Sequence, residues 1–320
     1  MRRRNFIAGL GSVVAARPVL SRAQQGERVR RVGVLALATE ADSLFLQNLI
    51  YEELQKLGWI EGRNLRLDYR FGAELDRIRA AAADLVRRAA DVIFTPSEVT
   101  FGAVQQETTT IPLVFLLGDA AELVKNIARP EGNATGFAAA SSSLGGKWLE
   151  LLKEAVPNVA RVTFLVPRAL SPTTLSSFEA VARALRVQLV TIPASDAADI
   201  AYMRAAIESF AAEPNGGLIL GRGLPLELQR EFIRLAEQYR LPSISGPRSD
   251  RALMSYFSDI LDLLRQSVTY VDRILRGAKV SDLPVQYATK FRLVVNLKTA
   301  KAIGVEISPK LLALADEVIQ

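Results

Sequence analysis

The chain of 320 residues contains no cysteine and no histidine. Disulfides, thiolate or imidazole metal sites, a Ser-His-Asp triad, a Cys-His pair and an acylated N-terminal cysteine are therefore all excluded. Phosphate-binding signatures are lacking too. Gly145-Gly146-Lys147 runs into Trp148 where a P-loop needs Ser or Thr, and it has no earlier glycine, while Gly221-Arg222-Gly223 lacks the third glycine of a dinucleotide fingerprint. Only chemistry run on Asp, Glu, Lys or Tyr is left open. The expectation is a protein that is not an enzyme and needs no cofactor or metal.

Long hydrophobic runs are also missing. The apolar stretch near the N-terminus is broken by Arg17-Pro18 and is too short to cross a bilayer. Hydrophobic residues make up 49% and charged residues 23%, which excludes disorder and a multi-span membrane protein and leaves ample material for a core.

What is present begins with a leader-like segment. Arg2, Arg3 and Arg4 precede Phe6-Ile7, a mild apolar stretch through Leu20, and Ser21-Arg22-Ala23. A charged start, an apolar middle of about 7–15 residues and a small-x-small end are what a translocon and its peptidase require, so cleavage after Ala23 is expected. Arg3-Arg4-Asn5-Phe6-Ile7 resembles a twin-arginine export signal, with a plain secretory signal as the alternative. The net charge of +6 invites nucleic acid, but five of the positive residues lie in this acid-free segment, and removing five leaves +1. No basic stripe remains to release counterions, so nucleic acid is not an expected partner. The protein is expected in the periplasm, as a monomer.

Beyond the leader, apolar strands alternate with amphipathic helices. Strands are expected at 31–37, 65–69, 92–95 and 111–117, and helices at 43–57, capped by Ser43 and stopped by Gly58, and at 76–89. Such alternation means a parallel sheet covered on both faces. The order then replays about 126–130 residues later, with strands at 162–166, 188–192 and near Gly217-Leu218-Ile219-Leu220 and Leu241-Pro242-Ser243-Ile244. Two doubly wound α/β lobes result, and such sheets bind ligands beyond the carboxyl ends of their strands. Turn formers place one interlobe crossing in 128–143, and a second is expected near 251–259. A helix at 260–275 would return to the first lobe, with a strand at 291–295 and the final helix completing the second. The expected division is a leader over 1–23, a first lobe of 30–134 plus about 255–283, and a second of 135–254 plus about 284–320.

Specific strings stand in the same order. They are Arg129-Pro-Glu-Gly-Asn-Ala-Thr-Gly136, Leu144-Gly-Gly-Lys-Trp-Leu-Glu-Leu-Leu-Lys-Glu154, Glu213-Pro-Asn-Gly-Gly217, Leu283-Pro-Val-Gln-Tyr-Ala-Thr-Lys-Phe291, Asn296-Leu-Lys-Thr-Ala-Lys-Ala-Ile-Gly304 and Leu311-Leu-Ala-Leu-Ala-Asp-Glu-Val318. Together they resemble the periplasmic-type substrate-binding proteins of importers driven by ATP-binding cassettes, in the group with tryptophan- and tyrosine-binding members. The resemblance implies a type I periplasmic-binding-protein fold with three crossings, hinge closure around a small solute, and docking onto a membrane permease. A sensory module presenting its bound form to a membrane receptor would need the same cleft and is the alternative.

Candidate ligand contacts come from the strand-end loops, where helix N-termini leave backbone N–H groups for an anion. In the first lobe these are Thr39 and Ser43, Ser97 and Thr100, and Asp119, with simple capping as the competing role and Asp119 with Glu122 as a capping box first and an ammonium partner second. In the second lobe Ser171 precedes Pro172 at a helix start. Arg168, Arg222 and Arg248 each come just after an expected strand end, and because arginine's planar fork matches a carboxylate they point to an amino acid or other carboxylate-bearing solute, with solvated loop arginines as the competing reading. Tyr256, beside Phe257, is placed to stack on a planar ligand or to pack the hinge. Trp59 and Trp148 read as core or interlobe packing.

Overall fold

The computed structural model describes residues 28–37, 43–120, 124–139, 143–165, 172–192, 200–221 and 226–320. The leader and Thr39, Glu122, Arg168, Ser171 and Arg222 lie outside these residues.

The first half builds β1 (Arg30–Ala36), α1 (Leu44–Lys56), β2 (Leu65–Phe71), α2 (Leu75–Arg87), β3 (Val92–Thr95), α3 (Glu98–Glu107), β4 (Leu113–Leu117) and β5 (Ala134–Ala138). Successive side chains of these apolar strands point to opposite faces. Val92, Phe94, Val114 and Leu116 therefore meet Leu54 of α1 on one face, while Ile93, Leu113 and Phe115 meet Leu85 of α2 and Phe101 of α3 on the other. Gly58, at φ +91, ends α1 in a conformation that costs other residues strain.

The second half repeats the scheme with α4 (Leu144–Ala155), β6 (Arg161–Leu165), α5 (Pro172–Ala184), β7 (Gln188–Thr191), α6 (Ile200–Ala211), β8 (Gly216–Leu220), α7 (Leu226–Gln238), β9 (Ser243–Ser245) and β10 (Met254–Ser258). The chain then forms α8 (Ile260–Leu275), β11 (Gln286–Tyr287), β12 (Phe291–Asn296), α9 (Leu297–Ile303), α10 (Pro309–Leu314) and β13 (Glu317–Ile319). Two sheets result, ordered β11-β5-β4-β3-β1-β2 and β13-β12-β10-β9-β8-β6-β7. The first is parallel throughout; in the second only β12 runs antiparallel to its neighbour β10.

Two segments depart from expectation. Residues 134–138, expected within an irregular crossing, form β5 between β4 and β11, and all five are buried. A Cβ on Gly136 would stand 2.1 Å from the carbonyl oxygen of Phe115, so the small residues that read as turn formers are what lets two backbones come this close. Residues 254–258, expected at the second crossing, form β10, and the crossing itself contracts to Asp259, whose side chain caps α8 by accepting from Asp262 N at 3.1 Å. The sheet assignments thus place β5 and β11 with the first sheet and β10 with the second, shifting the expected limits at 134, 254 and 283 by a few residues toward the C-terminus.

The three passages between sheets share a geometry. After β5 the chain enters α4, which packs on β8 and β9; after β10 it enters α8, which packs on β3, β4 and β5; after β11 it enters β12. Helices and strands alternate in direction, so each passage leaves one sheet at its carboxyl end and reaches the other at its carboxyl end. That is why β12 must run against β10. The passages lie side by side, with Asp259 N donating to Lys290 O at 2.9 Å and Ala288 N to Ala138 O at 2.8 Å. The carboxyl ends of both sheets therefore adjoin this triple connection.

Candidate interlobe ligand site

On the first lobe, the loop from β3 to α3 is locked by its own hydroxyls. Ser97 caps α3 in extended conformation, accepting from Thr100 N at 3.3 Å, and its Oγ lies 2.8 Å from Thr100 Oγ1. Thr100 is fully buried and donates its hydroxyl to Ser97 O at 3.1 Å. Both side chains therefore satisfy each other and the helix start. Ser43 differs from expectation: it is buried, but its side chain makes no capping bond to α1 and instead accepts from Gln47 Nε2 at 3.0 Å. Its backbone is already helical (φ −90, ψ −9), which turns the side chain away from the N–H groups a cap would serve.

Asp119 lies just past β4 and hydrogen-bonds the hydroxyl of Tyr287, the last residue of β11. Burial, then the charge and hydrogen bond of Asp119, push that phenol above its usual range. Next to Asp119, Gly118 N donates to Glu98 Oε1 in a very short hydrogen bond. Glu98, Asp119 and Tyr287 thus gather an acidic edge from the ends of β3, β4 and β11. Neither Glu98 nor Tyr287 was among the residues expected from the sequence. Glu98 is visible there only as an acid in the first turn of α3, a position the helix dipole favours anyway.

On the second lobe, Arg248 is engaged: Nη1 donates to Asp250 and Nη2 to Glu317, both at 2.7 Å. The Glu317 hydrogen bond, aided by Asp250 and opposed by burial, raises its already high pKa. The arginine expected to receive an anion is thus neutralised by two carboxylates of its own chain. Tyr256 stacks on Phe291, with ring centroids 5.3 Å apart and planes 13° from parallel, and its carbonyl accepts from Trp148 Nε1 at 2.8 Å. Burial leads the rise of its pKa, with smaller contributions from the charges of Asp316 and Glu150. The aromatic pair joins β10 to β12 at two of the crossings. Trp59 and Trp148 are both buried in lobe cores.

Three buried hydroxyls that find no hydrogen-bond partner among the described residues, Thr95, Ser245 and Ser258, end β3, β9 and β10 at the carboxyl side. Among the described residues no acidic cluster has metal-holding geometry, and no helix is long and apolar enough to cross a membrane. What the described residues offer is hydroxyls, carboxylates and helix N-termini gathered at the carboxyl ends of the strands. It suits reversible binding of a polar small molecule.

Known proteins share this architecture. A conserved domain protein from Vibrio cholerae O1 biovar El Tor superposes with a TM-score of 0.74 at 25% identity, covering 91% of this chain and 100% of that one. An ABC domain from Streptococcus pneumoniae, solved in complex with L-Trp, gives 0.73 at 20% identity over 91% and 99%. A tyrosine-binding protein of Clostridioides difficile is 23% identical over 268 residues, 79% of this chain and 74% of that protein. The family described as ABC transporter substrate binding protein matches residues 31–319, nearly the whole described chain. Its members bind solutes and are not enzymes, and this chain belongs to that family.

Proposed function

We propose that the protein is the extracytoplasmic receptor of an ABC importer, a monomer that closes on a small organic solute and delivers it to a membrane permease. One observation carries this reading: all three passages join carboxyl end to carboxyl end, so the ligand-binding ends of two doubly wound sheets share one cleft and one hinge. The leader over residues 1–23 directs export, and replacing Arg3 and Arg4 by Lys blocks it on the twin-arginine route.

The solute carries a carboxylate. Arg168 and Arg222 come after the ends of β6 and β8 and supply the guanidinium groups, whereas Arg248, paired with Asp250 and Glu317, contributes little. Glu98 and Asp119 on the opposite lobe suit an ammonium group, so amino acids head the candidates, and L-tyrosine and L-tryptophan are the first probes because relatives are named for them or hold them. Protein purified from its native periplasm should release an unchanged carboxylate-bearing compound by mass spectrometry. Recovery of only neutral or chemically altered compounds would refute the reading.

A further inference from the structure

A cavity of about 360 Å³ opens on the first lobe at the end opposite the cleft. Arg28 and Arg30 enter it from the amino end of β1, Arg63 from the turn before β2, and Arg276 from the end of α8. Trp59 forms a wall, with the Arg276 guanidinium 5.4 Å from the centre of its ring.

The acids within reach are already engaged. Asp91 accepts from Arg28 at 3.2 Å, Arg30 at 3.0 Å and Arg31 N at 2.8 Å, and Asp272 accepts from Trp59 Nε1 at 2.8 Å and Arg276 Nε at 2.6 Å. Four guanidinium groups therefore face two carboxylates, and Arg63 has no ion pair among the described residues. Two helices, α1 and α8, end here, and their carboxyl dipoles oppose an anion by about half a charge each. Arg276 answers this by donating to Leu57 O at 2.7 Å. Helix capping accounts for that one arginine, and the Asp91 pairs account for holding Arg28 and Arg30 in place. Neither removes the positive excess.

We propose that this cavity binds a phosphate group. Guanidinium forks match phosphate oxygens in pairs, and four of them around one concavity let a single phosphate make several charge-assisted hydrogen bonds at once. Inorganic phosphate and the phosphodiester of an anionic lipid headgroup present the same chemistry. Because the cavity lies at the amino ends of the strands, its occupancy is independent of the cleft.

The test uses the mature protein, its Arg28→Glu/Arg63→Glu double variant and an Arg222→Ala control. Binding is read by calorimetry with inorganic phosphate and by flotation with phosphatidylcholine vesicles with and without phosphatidylglycerol. Arg28 and Arg63 are exposed, so the double variant should melt like the wild type. Saturable phosphate binding, weakened about tenfold or more in the double variant and unchanged in Arg222→Ala, supports a soluble ligand. Binding only to phosphatidylglycerol vesicles with the same loss supports a headgroup. No binding to either probe, or binding undiminished in the double variant, overturns the proposal.

Discussion

Through five strands the two sheets wind alike: β2-β1-β3-β4-β5 in the first corresponds to β7-β6-β8-β9-β10 in the second. Beyond the fifth strand they diverge. The helix after β5, α4, packs on the second sheet, and the helix after β10, α8, packs on the first, so each lobe covers one face with a helix delivered from the other. The sixth strands then separate the lobes in kind. The first receives only the two-residue β11, parallel to β5, while the second receives β12, antiparallel, and β13 beyond it. A duplicated unit has thus been tied together by exchange at its carboxyl side. The exchange aims both binding edges at one space.

The largest expected effect tests the division of labour across that space. Arg168→Ala and Arg222→Ala should each weaken binding of the co-purified solute by about 2–5 kcal/mol, as for a desolvated charge pair losing one partner. Arg248→Ala should cost under about 1 kcal/mol, because its guanidinium already serves Asp250 and Glu317 at a half-exposed position. Calorimetry on the three variants checks this; equal losses at all three would erase the distinction.

Equivalent strand positions should respond differently to one methyl-scale change. Gly136 of β5 pairs with Phe115, and Ser255, its counterpart in β10, pairs with Ser245. Gly136→Ala should lower stability by about 3 kcal/mol, because its new Cβ meets backbone that cannot give. Ser255→Ala should cost about 1 kcal/mol, the worth of the hydrogen bond it accepts from Ser249 N. Urea titrations would show the difference as midpoints displaced to unequal extents.

Much of this comparison was legible in the sequence, and the illegible part has physical causes. β1, β3, β4 and α8 announce themselves through apolar runs or periodicity because their side chains make the core. β5 and β10, Ala-Thr-Gly-Phe-Ala and Met-Ser-Tyr-Phe-Ser, do not: in β5 the close approach of Gly136 to Phe115 demands a residue that looks like a turn former, and in β10 serines interrupt the apolar run. At the site, the Ser97–Thr100 cap is local and readable. The partners of Asp119 and Arg248, Tyr287 and Glu317, come from strands added at the end of the chain, and nothing local signals them.

A smaller effect separates two buried threonines of the first sheet. Thr95→Val removes a hydroxyl that has no partner among the described residues and should leave stability unchanged or raise it by about 1 kcal/mol, whereas Thr135→Val breaks a buried bond to Leu283 O and should cost about 1–3 kcal/mol. Thermal melts that drop equally for both would contradict the assignment.

The smallest expected effect is on pH dependence, one carboxylate per lobe. Hydrogen bonds from Arg70 and Arg88 hold Asp84 at about 2, and those from Arg234 and Arg204 hold Glu231 at about 2. Both folded values lie below the unfolded ones, so each contribution is complete above pH of about 4 and is lost as pH falls through about 2. Asp84→Asn and Glu231→Gln should each lower the neutral plateau of a stability–pH curve slightly and flatten its acid limb, leaving the slope near neutrality unchanged. Solvent screening keeps both changes slight.

Joint capture by the two lobes is tested most directly by a distance. The absence of cysteine makes paired spin labels simple to place, and Asp76→Cys on α2 with Glu227→Cys on α7 labels exposed first-turn positions on the cleft side of each lobe. Pulsed electron–electron resonance, with and without the solute recovered from the native protein, should show the interlabel distance shorten and its distribution narrow. A distance unchanged at saturating solute would contradict closure of two lobes on one ligand.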